Sequence, residues 1–181
     1  MLSAKVRCSR SNFAPTNLIL SNNSISENVF ANTLIGNFSS IDPDFGNTFT
    51  YRLVTGSGSI DNDSFTVINN ELHVVNPPNF ESKNSYSIRV RTTDQGGLSY
   101  EKEFTVNITD VNEAPIALVL SNNITPENVA ANSIIGNFTS TDPDTTAQTF
   151  AYSLVTGTGS TDNASFVIIN LVQAAIPNSN P

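Results

Sequence analysis

Many short segments of the sequence recur 100 residues further along the chain. The paired segments are Ser21-Asn22-Asn23 with Ser121-Asn122-Asn123, Glu27-Asn28-Val29 with Glu127-Asn128-Val129, Ile35-Gly36-Asn37-Phe38 with Ile135-Gly136-Asn137-Phe138, and Asp42-Pro43-Asp44 with Asp142-Pro143-Asp144. Solenoid repeats have periods of roughly 20 to 50 residues, whereas a period near 100 is the size of a domain with its own core. The repeat therefore predicts tandem domains: an N-terminal segment over 1–11, a complete unit over 12–113, a partial unit over 114–170 and a divergent tail over 171–181.

Apolar residues occupy every second position in several short runs of the first unit. In one of these runs Phe104, Val106 and Ile108 alternate with polar residues, which is the period of a strand with one buried face. About seven such runs, separated by Gly, Pro, Asn and Asp clusters, predict an all-β sandwich of two packed antiparallel sheets. In the second unit, strands matching the first four can be recognised as far as Ile169, so about three strands are missing.

The charge and the rare residue types exclude several classes of function. The chain carries 16 acidic and 8 basic residues, and the last basic residue is Lys102, so the second unit has none. This balance disfavours nucleic acid and anionic membranes as partners, and no apolar run is long enough for direct membrane insertion. The single cysteine, Cys8, allows no internal disulfide, and the single histidine, His73, has no nearby nucleophile signature. The sequence therefore predicts a protein that is not an enzyme.

Acidic and amide residues recur in five motifs next to the predicted strands. The motifs are Glu27-Asn28, Asp42-Pro43-Asp44, Asn79-Phe80-Glu81, Thr93-Asp94-Gln95-Gly96 and Asp110-Val111-Asn112-Glu113-Ala114-Pro115. In this order they resemble the calcium motifs of cadherin repeats, and the resemblance covers residues 12 to 170. It implies tandem Ig-like Greek-key β-sandwiches of the cadherin type, the second of them truncated.

The resemblance also implies calcium ions between successive domains. Carried over residue by residue, the ligand candidates are Glu27, Asn79, Glu81, Asp110, Asn112, Glu113, Asp142 and Asp144. Calcium accepts six to eight oxygen ligands of mixed type, whereas zinc is disfavoured by the missing Cys and His ligands. Asn79 and Glu113 stand where the family usually has Asp, and both changes should weaken binding. At the opposite end of the first unit, Arg10 and Phe13 stand at the positions that Asp110 and Glu113 occupy in the last motif, so no complete site is expected there.

The function that the resemblance implies is calcium-dependent stiffening of tandem domains in an extracellular or cell-surface protein, for cell adhesion. Its partners would be the same or a different surface protein, or a glycan. Two other interpretations stay open: an accessory spacer or binding module of a surface enzyme, and a truncated fragment without independent function. A solvated acidic surface without metal is the simplest alternative for the charge, and Asp42-Pro43-Asp44 alone is typical of a turn.

Overall fold

The computed structural model describes residues 11–144 and 147–169, which divide into two compact units between Val111 and Asn112. The predicted boundary, after Glu113, lies two residues further along the chain. The predicted tail over 171–181 and all but the last residue of the segment over 1–11, with Cys8 and Arg10, lie outside the described residues. Within those residues no helix has the length and hydropathy needed to cross a membrane.

The first unit contains eight strands and one short 3-10 turn over Asn62–Ser64. The strands are β1 (Asn17–Leu20), β2 (Ser24–Ser26), β3 (Leu34–Ile41), β4 (Phe49–Leu53), β5 (Phe65–Ile68), β6 (Glu71–Val74), β7 (Ser85–Asp94) and β8 (Ser99–Thr109). Seven of them lie where the apolar alternation predicts strands. The additional strand, β2, has only three residues and a single apolar side chain, so its sequence carries no alternation to read.

The eight strands form two four-stranded sheets, ordered β1-β3-β6-β5 and β2-β8-β7-β4. All neighbouring strands are antiparallel except β2 and β8, which run parallel. The consecutive strands β1 and β2 therefore belong to different sheets, and non-consecutive strands are neighbours in both sheets. The all-β, Ig-like Greek-key sandwich predicted from the sequence is confirmed.

The core of the first unit lies between the two sheets. In β7 the buried residues Ile88 and Val90 alternate with the more exposed Arg89 and Arg91. The buried apolar residues are Leu18, Ile25, Ile35, Phe38, Phe65, Leu72, Val74, Ile88, Val90, Val106 and Ile108. Burial of one such side chain contributes about 1.5 to 3 kcal/mol before the loss of conformational entropy is subtracted. The first unit thus has a core of its own.

The connection from β1 to β2 passes so close to Gly36 of β3 that only a residue without a side chain fits there. A Cβ atom on Gly36 would lie 2.5 Å from the backbone oxygen of Asn22, which is closer than such atoms approach. The side-chain amide of Asn22 donates to the carbonyls of Ser24 and Ile35 at 2.8 Å, and so holds this connection against β3. The second unit has the same close approach, 2.6 Å between a Cβ on Gly136 and the Asn122 oxygen.

The second unit repeats the start of the first. Its strands β9 (Ala117–Leu120) and β10 (Phe138–Thr141) are antiparallel, and Leu118 faces Ser140 as Leu18 faces Ser40. The sequence also predicts counterparts of β4 and β5, but the described residues of this unit form no further strand. In the first unit β4 pairs with β7 and β5 with β6, and the described part of the second unit has no counterpart of either partner. All four residues of β9 are exposed.

Candidate metal centre

The parallel pairing of β2 and β8 brings the first and last acidic motifs of unit 1 together. Ser26 at the end of β2 lies opposite Thr109 at the end of β8, so the residues that follow, Glu27 and Asp110, leave the sheet at the same end. The Glu27 N–H donates to the Thr109 carbonyl at 3.1 Å. Two acids that are more than 80 residues apart in sequence thus become neighbours through the strand pairing.

The connection between β6 and β7 supplies a third acid to this end of unit 1. The Asn28 N–H donates to the Pro78 carbonyl at 3.1 Å, which holds the 78–81 segment against the residue after Glu27. A carboxylate oxygen of Glu81 lies within 4.8 Å of one from Glu27. A carboxylate oxygen of Glu81 also lies within 4.8 Å of one from Asp110. Glu27, Glu81 and Asp110 therefore form an acidic cluster, called here the unit 1 cluster.

The two amide candidates, Asn79 and Asn112, have contacts close in sequence. Asn79 Oδ1 accepts the Ser82 N–H at 2.7 Å, and this contact stabilises the turn that carries Glu81. Asn112 Nδ2 donates to the Glu113 carbonyl at 3.1 Å. The structure thus gives Asn79 a turn-forming contact, and its predicted role as a ligand stays a prediction, as does that of Asn112.

The remaining candidates lie together in unit 2. Asp142 Oδ1 accepts the Asp144 N–H, and Asp144 Oδ2 accepts the Glu113 N–H, both at 3.1 Å. Loss of hydration raises the pKa of Asp142, and the nearby carboxylates of Asp144 and Glu113 raise this pKa further. The hydrogen bond from the Asp144 N–H acts in the opposite direction but does not cancel the increase. Asp142, Asp144 and Glu113 form a second concentration of negative charge, called here the unit 2 cluster.

The opposite end of unit 1 has the same local arrangement with different side chains. The Phe13 N–H donates to Asp44 Oδ2 at 2.7 Å, just as that of Glu113 donates to Asp144. Asp94 accepts from the Asn12 amide at 3.0 Å and from the Leu98 N–H at 2.9 Å. Asn12 was not among the predicted site residues, although its counterpart at the 100-residue offset, Asn112, was a candidate. The expectation that this end of unit 1 holds no complete calcium site stays a prediction.

The donor chemistry of both clusters fits a hard cation. Each cluster offers three carboxylates, and calcium binds oxygen ligands in a flexible geometry that such groups can satisfy. His73, the only histidine, lies in β6, where Nε2 is 3.0 Å from Glu71 and Nδ1 is 2.8 Å from the Asn32 carbonyl. It therefore has a local role in the sheet, and the clusters offer the oxygen ligands of calcium rather than the nitrogen and sulfur ligands of zinc.

Comparisons with known proteins agree with this architecture. No protein-family profile matches the sequence. The chain is 29% identical to human Cadherin-24 over 150 residues, which is 73% of this chain and 18% of that protein. It is also 29% identical to human Protocadherin beta-1 over 126 residues, or 66% of this chain and 15% of that protein. A structure of Protocadherin Gamma B2 extracellular cadherin domains 3-6 superimposes with a TM-score of 0.52 at 19% identity, over 71% of this chain and 31% of that one.

The first unit has the fold of a cadherin repeat. The eight strands of its two sheets, the close approach at Gly36 and the unit 1 cluster all lie within this unit. The chain spans less than a fifth of the length of the two cadherin relatives, so what those whole proteins do is not carried over with the fold.

Proposed function

We propose that this chain binds calcium through the acidic residues around its repeat junction, and that the bound ions fix the arrangement of consecutive repeats. The observation that carries the proposal is the convergence of Glu27, Glu81 and Asp110, from three separate segments, at the end of unit 1 where the chain continues to unit 2. The ligand set would be these three residues together with Asn79, Asn112, Glu113, Asp142 and Asp144.

Electrostatic repulsion supports a role for a cation. Two carboxylates about 5 Å apart repel by about 1 to 3 kcal/mol, depending on how well water screens them. Each cluster contains several such charges, and the second unit has no Lys or Arg that could neutralise its own. A divalent cation would convert this repulsion into attraction, so the chain between Asp110 and Pro115 would be mobile without calcium and restrained with it.

The proposed setting is the cell surface or the extracellular space. The described relatives are cadherins and protocadherins, and the matching structure consists of extracellular domains. Extracellular calcium modules work with dissociation constants of about 0.1 to 1 mM, so a site weakened at Asn79 and Glu113 would still fill there. Within this proposal the chain is a spacer or adhesion module, and the molecule it adheres to would be a surface protein or a glycan.

Calorimetry and thermal melting of the whole chain test the proposal. Wild-type protein should release or absorb heat on calcium titration and should melt at a higher temperature in calcium than in chelator. Asp110→Asn should weaken calcium binding about tenfold or more, because it removes a charged oxygen donor from the unit 1 cluster. The matched control is Asp63→Asn, the same change at an exposed acid in the 3-10 turn over Asn62–Ser64.

The control variant should bind calcium as the wild type does. A wild type without a calcium-dependent heat or melting shift would refute the proposal. If Asp110→Asn and Asp63→Asn lower the calcium affinity equally, binding depends on the overall charge of the protein. That result would contradict a calcium site at the repeat junction.

A further inference from the structure

We infer that Glu27 is a positioning residue, which holds the unit 1 cluster in its binding arrangement before any cation arrives. Its carboxylate accepts the Phe80 N–H on Oε2 at 2.8 Å and the Val111 N–H on Oε1 at 2.9 Å. Phe80 directly precedes Glu81, and Val111 directly follows Asp110. One side chain therefore fixes the backbone beside each of the other two acids.

The surroundings of Glu27 match this role. The residue is only 2% exposed, and buried carboxylates require hydrogen-bond partners. Bonds from backbone N–H groups to a charged carboxylate are roughly twice as strong as those between neutral groups. The backbone adds two more links, from Glu27 N–H to Thr109 and from Asn28 N–H to Pro78, so residues 27 and 28 hold both segments through four hydrogen bonds.

The two hydrogen bonds require a carboxylate at position 27. The two N–H groups donate to different oxygens of the Glu27 carboxylate, whereas glutamine has an acceptor oxygen at only one of these positions and a donor NH2 group at the other. Glu27→Gln would therefore leave one N–H facing another donor and would release either the Phe80 segment or the Val111 segment. Each carboxylate oxygen of Glu27 keeps a second lone pair, so holding the backbone does not prevent it from also binding a cation.

The second repeat provides a natural control. Glu127 stands in the same text as Glu27, and Asn128 has nearly the same backbone φ as Asn28, 58° against 57°. Glu127 is nevertheless exposed, and the described part of unit 2 contains no segment corresponding to those that carry Phe80 and Val111. Glu127→Gln therefore makes the same chemical change at the same sequence motif without a backbone contact to lose.

The test is residue-resolved hydrogen exchange on the whole chain in chelator, which reports the backbone contacts without calcium. The Phe80 and Val111 amides should be protected in the wild type. At least one of them should exchange about tenfold or more faster in Glu27→Gln, while Ile88 in the core stays protected and Glu127→Gln leaves all three unchanged. Unprotected Phe80 and Val111 amides in the wild type would overturn the inference, whether or not the variants fold. So would wild-type exchange in Glu27→Gln.

The effect of Glu27 on calcium affinity rests on the proposed function, whereas its hold on the backbone does not. A calcium titration of the same variants separates the two. If the wild type binds no calcium but Glu27→Gln loses amide protection, the proposed function fails and the positioning role stands. If the wild type binds calcium and Glu27→Gln keeps its protection in chelator, calcium binding stands and the positioning role fails.

Discussion

Replacement of Glu81 by glutamine should stabilise the protein in the absence of calcium and weaken its response to calcium. A carboxylate oxygen of Glu81 lies within 4.8 Å of one from Glu27, and a carboxylate oxygen of Glu81 lies within 4.8 Å of one from Asp110. At 4.8 Å, two unit charges repel by about 0.9 kcal/mol in water and by about 3.5 kcal/mol at an effective dielectric of about 20. Glutamine is nearly isosteric with glutamate and removes both repulsions.

The net gain should lie near the lower limit, because Glu81 is only partly buried and its neighbours can relax. A gain of about 1 to 2 kcal/mol is therefore expected. For a domain of about 100 residues, 1 kcal/mol raises the melting temperature by roughly 4 to 8 °C. The same variant should lose most of the melting shift that calcium gives the wild type, since a charged ligand is gone.

The assay is thermal melting followed by circular dichroism, in chelator and in millimolar calcium, on wild type, Glu81→Gln and the control Glu127→Gln. The two expected changes have opposite signs, and this separates them from a general loss of stability. A lower melting temperature in chelator together with an undiminished calcium shift would refute the account of Glu81 as a repelled, cation-binding carboxylate.

Three further predictions concern the core, the pH and the second unit. Leu72→Ala should destabilise unit 1 by about 2 to 5 kcal/mol in urea unfolding, because Leu72 is fully buried, whereas Ile68→Ala, at a residue 48% exposed, should cost much less. The raised pKa of Asp142 means that calcium affinity, followed by calorimetry, should fall as the pH falls through that pKa, because protons compete for the carboxylate. In chelator the contribution of Asp142 to stability should rise as the pH falls, because its folded state takes up the proton first; a stability difference between wild type and Asp142→Asn that does not change with pH would contradict the pKa argument. Amides of residues 116–170 should exchange quickly in the monomer, and slow exchange throughout would show that unit 2 is a stable structure.

Much of the fold of unit 1 can be predicted from the sequence because its strands obey a simple period. The alternation of Phe104, Val106 and Ile108 survives in β8, where the last two are buried. The repeated text is equally informative, since identical residues produce the same register around Leu18 and Leu118. Local sequence is sufficient in these cases because each pattern depends on residues within one strand or one turn.

Features that depend on distant partners were not predictable in this way. The strand β2 forms because Ile25 lies opposite Ile108 of β8, more than 80 residues away, and three residues alone carry no signal for this pairing. Phe150 and Phe166 likewise lie in no strand, and the described part of unit 2 contains no counterpart of β7 or β6, the partners of the equivalent strands in unit 1.

The candidate site shows the same division. The acidic motifs identified Glu27, Glu81 and Asp110 as candidates, and the structure brings these three together in unit 1. The motifs could not indicate that both oxygens of Glu27 accept backbone N–H groups, because the donors belong to Phe80 and Val111 in other segments. A carboxylate in a motif indicates a charge; only its surroundings show whether that charge also holds the backbone.

Small-angle X-ray scattering of the whole chain tests the central claim most directly, because the claim concerns the arrangement of two repeats and not only the binding of an ion. Matched samples in chelator and in millimolar calcium should differ: calcium should narrow the distribution of the radius of gyration, and Asp110→Asn should require more calcium for the same change. Identical distributions in chelator and in saturating calcium, with calcium binding verified by calorimetry on the same sample, would contradict the claim that calcium fixes the arrangement of the repeats.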